Sequence, residues 1–160
     1  MAIKVGDKVP SVTMKYMTAD GMAETSTDEI FGGKTVVLFS VPGAYTPTCT
    51  AQHLPGFISK ADALKAKGVD DIVCIAVNDP FVMKAWGEAC GVKGEVTMLP
   101  DWDAALSKAM GLSFDASGAG LGERGQRFAM VVKDGTVTHL AVEEGTGVDV
   151  SSAEKVLAAL

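Results

Sequence analysis

The chain has 160 residues, 48% of them hydrophobic and 21% charged, and a formal net charge of −6 at pH 7. That length is enough to bury a core of its own, and no run of about 18 apolar residues is present to cross a membrane. The negative balance excludes nucleic acid and anionic membrane surfaces as partners, because both repel it.

In chain order, the first signal is TADG (Thr18–Gly21), which lies between SVTMKYM and MAETST and predicts an N-terminal β-hairpin through its Asp-Gly turn. KTVVLFSV (Lys34–Val41) is a continuous apolar run and reads as a fully buried strand. It runs into VPGAYTPTCTAQHLPGF (Val41–Phe57), which is crowded with proline and threonine and carries one thiol, Cys49. Thr50 to Lys67 has helical spacing, with Leu54, Phe57, Ile58, Ala61 and Leu64 on one face. Pro55 falls inside it and is expected to bend it or cost it a hydrogen bond.

DIVCIAV (Asp71–Val77) predicts a second buried strand, and NDPFVMKAWGEAC opens with the Asn/Asp–Pro start of a helix. EVTMLPD reads as a short strand and DAALSKAMG as a short helix ended by Gly111. Arg127–Val142 forms two apolar runs about a Lys-Asp-Gly turn, a hairpin signal. SSAEKVLAAL closes the chain as a helix, with Ser151 and Glu154 spaced as a capping box.

A strand–helix–strand unit implies a parallel pair, and the late hairpin adds antiparallel strands. The expected fold is α/β: a central mixed β-sheet flanked by helices, thioredoxin-like, with an added N-terminal β-hairpin. No repeat or linker interrupts the chain, so residues 1–160 are expected to form one domain. In such sheets, sites gather beyond the carboxyl ends of the strands, where Cys49 lies.

Three cysteines (Cys49, Cys74, Cys90), two histidines and no CxxC make neither a disulfide scaffold nor a zinc site, and no cofactor or metal is expected. Cys49 directly precedes a helix, whose unpaired N–H groups and positive dipole end favour a thiolate. Pro42 and Pro47 stiffen the approach. Thr46, three residues before Cys49, is placed to aim a hydroxyl at whatever the sulfur meets. The two arginines among 14 basic residues, Arg124 and Arg127, share GERGQRF. Arginine offers a planar fork of donors, and Arg124 reads as an exposed charge.

PGAYTPTCTAQHLPGF resembles the active-site segment of the peroxiredoxins, in particular the Prx5 or type II subfamily, whose pattern is PGAFTPTCS followed by a histidine and LPGF. The likeness continues through GVDDIVCIAVNDPFVMKAWG, LGERGQRFAMVV and VEEGTGVDVSSAEKVLAAL. It implies a thiol peroxidase for hydrogen peroxide and organic hydroperoxides, with Cys49 as the peroxidatic cysteine that becomes a sulfenic acid. It also implies that Thr46 bonds sulfur and peroxide, that Pro42 shields the pocket, and that Arg127 joins them from a distant strand. The amides of Thr48 and Cys49 complete the expected donors. Tyr45 stands where the subfamily has Phe. His53 lies one helical turn past Cys49 and is read as a supporting hydrogen-bonding group ahead of a proton carrier. The resemblance further implies a homodimer.

Part of the subfamily resolves its sulfenic acid with a cysteine in GTGLTCS; here the stretch is GTGVDVS, with Val150 in that place. Cys74 matches the second cysteine of the plant-type branch, but its all-apolar strand favours a core role over a resolving one. An external thiol is then expected, glutathione with glutaredoxin first and thioredoxin as the alternative. A disulfide exchanger or redox chaperone of the same fold remains the competing class, although TPTC lacks the paired cysteine that exchange normally uses. The opening MAIKVGDKVPSV has no signal- or transit-peptide character, and a cytoplasmic protein is expected.

Overall fold

The structure, a computed structural model, describes residues 2–145 and 147–160, and the side chains of Cys49 and Ala51 lie outside the described residues. The N-terminal hairpin pairs β1 (Thr13–Thr18) with β2 (Gly21–Ser26) about the expected turn, where Gly21 takes φ 112°. A short helix, α1 (Thr27–Phe31), follows from a Ser26 cap that accepts the Glu29 amide.

The central sheet runs β5-β4-β3-β8-β9. Its members are β3 (Thr35–Ser40), β4 (Asp71–Ala76), β5 (Thr97–Pro100), β8 (Phe128–Lys133) and β9 (Thr136–Val142). β3, β4 and β5 are mutually parallel, while β8 runs antiparallel to β3 and β9 antiparallel to β8. Side chains alternate between two apolar layers. Val37, Phe39, Ile72, Cys74, Ala129 and Val131 join one, with α2 (Leu54–Ala66), α3 (Pro80–Ala89) and α5 (Ala153–Ala159) supplying Phe57, Leu64, Trp86 and Val156. Val36, Leu38, Val73, Ile75 and Met130 join the other, with Phe31 of α1, Leu106 of α4 (Ala105–Ala109) and Met14 of β1. Apolar side chains cover both faces of the three inner strands, which is why their sequences read as continuous hydrophobic runs.

Two predicted features change. The segment expected as one helix from Thr50 divides into a π-helical turn, Cys49–His53, and α2. Pro55 does not bend α2, because it sits in the first turn, where a missing amide breaks no bond. At the C-terminus Ser152, not Ser151, caps α5 by accepting the Lys155 amide. Ser151 is turned inward and fully buried. A three-residue pair, β6 (Ser113–Asp115) with β7 (Glu123–Gly125), was not foreseen.

Topology fixes where the chemistry gathers. Ser40 at the end of β3 pairs with Phe128, which pairs with Val142. The loop leaving β3, Arg127 just before β8 and Glu143 just after β9 therefore share one rim of the sheet.

Candidate active site

Residues 42–48 cross that rim as a tied loop. The Ala44 amide donates to Asn78 Oδ1 at 2.8 Å, and the Thr46 hydroxyl donates to the Gly43 carbonyl at 2.7 Å. Arg124 Nη1 donates to the Pro42 carbonyl at 3.1 Å and its Nε to the Leu121 carbonyl at 2.9 Å. A Cβ on Gly43 would come within 2.7 Å of that Nη1, so any larger residue there would push the guanidinium from its present place. The expectation of Arg124 as a solvated charge is thus corrected: it is half-buried and fastens the loop to β7. Trp86 Nε1 anchors the following turn through Thr50 Oγ1 at 3.0 Å.

A cleft of about 550 Å³ opens beside the turn, with Pro42, Thr46 and Thr48 on one wall and Phe114, Leu121 and Arg127 on the other. Thr46 and Arg127, separated by eighty-one positions in the sequence, are brought together here. The Cys49 backbone begins the π turn, while the peroxidatic role expected of its side chain lies outside the described residues. Tyr45 does not line the cleft; it adopts φ 64° and is 55% exposed.

His53 is 1% exposed and enclosed by Phe39 and Phe57, with ring centroids 5.1 and 5.6 Å away. Its Nε2 lies 2.9 Å from the Ser151 carbonyl and its Nδ1 lies 3.0 Å from Arg127 Nη1. A carbonyl only accepts and a guanidinium only donates, so the partners select the Nε2–H tautomer with Nδ1 as acceptor. Burial pushes the His53 pKa from 6.5 down to about 4; the Arg127 charge adds to that, while the Ser151 carbonyl and Glu143 oppose it. His53 is therefore neutral near pH 7. Such a ring holds the arginine through an Nδ1 that carries no proton.

Ser151 is itself held. Glu143 Oε2 accepts the Ser151 hydroxyl at 2.6 Å, the Ser151 amide at 2.8 Å and the Asp149 amide at 2.7 Å. Burial works against ionising this carboxyl, but those bonds outweigh it and lower its pKa. Glu143, Ser151 and Arg124 were missed as members of the site. The hairpin register offered a signal for one of them, since pairing Phe128 with Val142 places Glu143 opposite Arg127.

The other thiols lie elsewhere. Cys74 pairs across the sheet with Phe39 and Met98 and is 0% exposed. Cys90 caps the end of α3, half-buried, and burial raises its pKa. Val150, in the place of the resolving cysteine, is 40% exposed. Among the described residues no group of His, Cys, Asp and Glu is arranged to hold a metal ion.

Comparison with known proteins agrees with the geometry. The Redoxin family matches residues 4–157. "Peroxiredoxin-2E-2, chloroplastic" of Oryza sativa is 49% identical over 163 residues, covering 99% of this chain and 72% of that protein. "Peroxiredoxin-2B" of Arabidopsis thaliana is 46% identical, covering 99% and 98% of the two chains. A reduced Prx3 of Vibrio vulnificus, solved in complex with hydrogen peroxide, superposes with a TM-score of 0.94 at 52% identity over 98% of each chain. The cytoplasmic expectation is corrected by the same comparison. The rice relative and an Arabidopsis Peroxiredoxin-2E, 44% identical, are both named chloroplastic. The physical reason is that a domain's core and site do not encode its compartment.

Proposed function

The chain belongs to the Redoxin family, and from that premise we propose that Cys49 is the thiol of its thiol-dependent peroxidase activity, with an external thiol as reductant. The supporting observation is the convergence of Thr46, Thr48 and Arg127 on a cleft at the start of the Cys49–His53 turn. The Cys49 thiolate attacks one peroxide oxygen, an S–O bond forms and the O–O bond breaks with its electron pair moving to the departing oxygen. That oxygen takes up a proton and leaves as water or an alcohol, and the sulfur is left as sulfenic acid. Donors fixed before the reaction stabilise the developing oxyanion more than the ground state. The Arg127 fork and the amides of Thr48 and Cys49 are those donors, while the Thr46 hydroxyl, whose own proton goes to the Gly43 carbonyl, offers its oxygen to the peroxide proton. Pro42 keeps water from the sulfur, His53 orients Arg127, and Tyr45 stays at the exterior. Hydrogen peroxide and organic hydroperoxides are the substrates.

Glutathione attacks the sulfenic sulfur and expels water, and glutaredoxin removes the resulting mixed disulfide. This route is favoured over an internal one because Cys74 is sealed in the sheet and Val150 replaces the rim cysteine. Thioredoxin acting directly is the second reading. Residues 1–160 function as one domain. A homodimer is proposed through the edge of the active-site face. Tyr45, Phe81 and Trp102 follow the ends of the parallel strands β3, β4 and β5 and are 55%, 66% and 57% exposed there. Light scattering of the reduced protein at micromolar concentration should give twice the chain mass; a monomer would remove this part.

The deciding experiment adds hydrogen peroxide and then glutathione, with or without glutaredoxin, or thioredoxin, and follows peroxide loss and the mass of the Cys49 peptide. The expected result is sulfenic acid at Cys49, then a glutathione adduct cleared by glutaredoxin. A disulfide between Cys49 and Cys74 would overturn the external-thiol route.

A further inference from the structure

Arg127, His53, Ser151 and Glu143 close into a ring drawn from distant parts of the chain. Arg127 Nη1 donates to His53 Nδ1, His53 Nε2 donates to the Ser151 carbonyl, and the Ser151 amide and hydroxyl donate to Glu143 Oε2. The Glu143 amide then donates to the Arg127 carbonyl at 2.9 Å, so one ring grips both the backbone and the side chain of that arginine. His53, Ser151 and Arg127 are 1%, 0% and 6% exposed. We propose that Glu143 is a positioning residue for peroxide reduction: by fixing the Asp149–Ser151 turn it holds the Ser151 carbonyl on His53 Nε2–H, which leaves His53 Nδ1 to orient the Arg127 fork.

Two other roles for this carboxylate make opposite predictions. As a nearby negative charge only, it would disfavour the Cys49 thiolate, and removing it would speed the reaction or leave it unchanged. As a fastener of the start of α5 only, its loss would loosen the C-terminus without altering the His53 tautomer. A positioning role slows the reaction and frees the tautomer together. Glutamine at 143 can still turn its amide oxygen to the three donors that now point at Oε2, but without the negative charge that strengthens each bond, so the turn closes on it more weakly.

The inference rests on the proposed role of Arg127, so the experiment carries both variants. Full-length parent, Glu143→Gln and Arg127→Lys are compared by the second-order rate with hydrogen peroxide and by ¹⁵N NMR of the His53 ring. In the parent, His53 is expected wholly as the Nε2–H tautomer near pH 7; an Nδ1–H ring there would overturn the inference without any variant. Glu143→Gln should slow peroxide reduction by about 10- to 10²-fold, the scale of a misplaced catalytic group, and its His53 should exchange between tautomers. A variant as fast as the parent overturns the inference, and so does a slow one whose His53 stays Nε2–H. If Arg127→Lys keeps the parent rate, the assigned role of Arg127 fails. If Arg127→Lys is slow while Glu143→Gln is not, only the present inference fails.

Discussion

Cys74 and the rim residues lie one strand apart and are built differently. Cys74 belongs to the apolar layer of Phe39, Phe57 and Leu64, faces Phe39 across the parallel pair and has no exposed surface. At the rim, where β3 ends, several polar side chains are engaged over long sequence distances, Arg124 with Pro42, Arg127 with His53 and His53 with Ser151. The contrast shows that packing and poise are separate properties of one sheet. A thiol at the midline contributes volume to the core, whereas the rim offers peroxide an open cleft and donors that need not reorganise.

Two substitutions should break that contrast most strongly. Cys49→Ser should abolish peroxide reduction, since serine at that place is a far weaker nucleophile than a thiolate. Stopped-flow mixing with hydrogen peroxide measures it, and any turnover near the parent rate would move the chemistry to another thiol. Arg127→Lys keeps a charge but loses the planar fork that reaches His53. Losing one oriented donor typically slows such a reaction about 10²–10³-fold. The second-order rate, with thiolate absorbance across pH, should show that drop alongside a smaller rise in the Cys49 pKa than Arg127→Ala causes.

Acid should act on the rim before the midline. The folded pKa of His53, about 4, lies below its ordinary 6.5, so between those values the unfolded chain binds a proton that the folded one refuses. The stability tied to the neutral ring is complete above pH 6.5 and is lost as pH falls toward 4, by about 3 kcal/mol at 1.36 per pH unit. Urea unfolding at a series of pH values measures it. His53→Gln, which keeps one donor and one acceptor without titrating, should flatten the curve in that window. An equally steep curve for His53→Gln would assign the loss to other groups.

The midline was legible in the sequence and the rim only in part. Continuous apolar runs gave β3, β4 and β8 their places, and Asp-Gly turns gave both hairpins, because buried strands and tight turns each leave a local signature. Thr46 and Arg127 came from a family pattern, and the hairpin placed Arg127 at its start. The roles of Arg124, Glu143 and Ser151 were missed because each depends on a partner brought near by the fold, Arg124 on Pro42, Ser151 on His53 and Glu143 on Arg127. Ser151 and Ser152 are adjacent serines before one helix, and helix-cap spacing cannot tell which one the Glu143 carboxylate will draw inward. β6 and β7, three residues each, are too short to show a period.

Arg124→Lys should be felt less than Arg127→Lys. The guanidinium bridges the Leu121 and Pro42 carbonyls, and an ammonium reaches one of them at a time. One such bond is worth about 1 kcal/mol, so peroxide reduction should fall by roughly fivefold as Pro42 and the loop behind it loosen. A rate equal to the parent's would mean that the loop needs no tie to β7.

Cys74→Ala should give the smallest change in rate and so the sharpest test of the separation. Its peroxide reduction should stay within about twofold of the parent, because the midline supplies the rim with nothing but support. Stability should still fall, by about 1 kcal/mol, since removing a buried sulfur leaves the Phe39 and Phe57 layer short of a contact on one side. Urea unfolding at pH 7, together with the peroxide rate and the yield of the glutathione adduct, measures all three. Were the adduct to form no better or worse in this variant while turnover collapsed, Cys74 would have to leave the core during catalysis. The midline and the rim would then be one device, because a residue with no exposed surface in the folded sheet can meet Cys49 only if β4 opens.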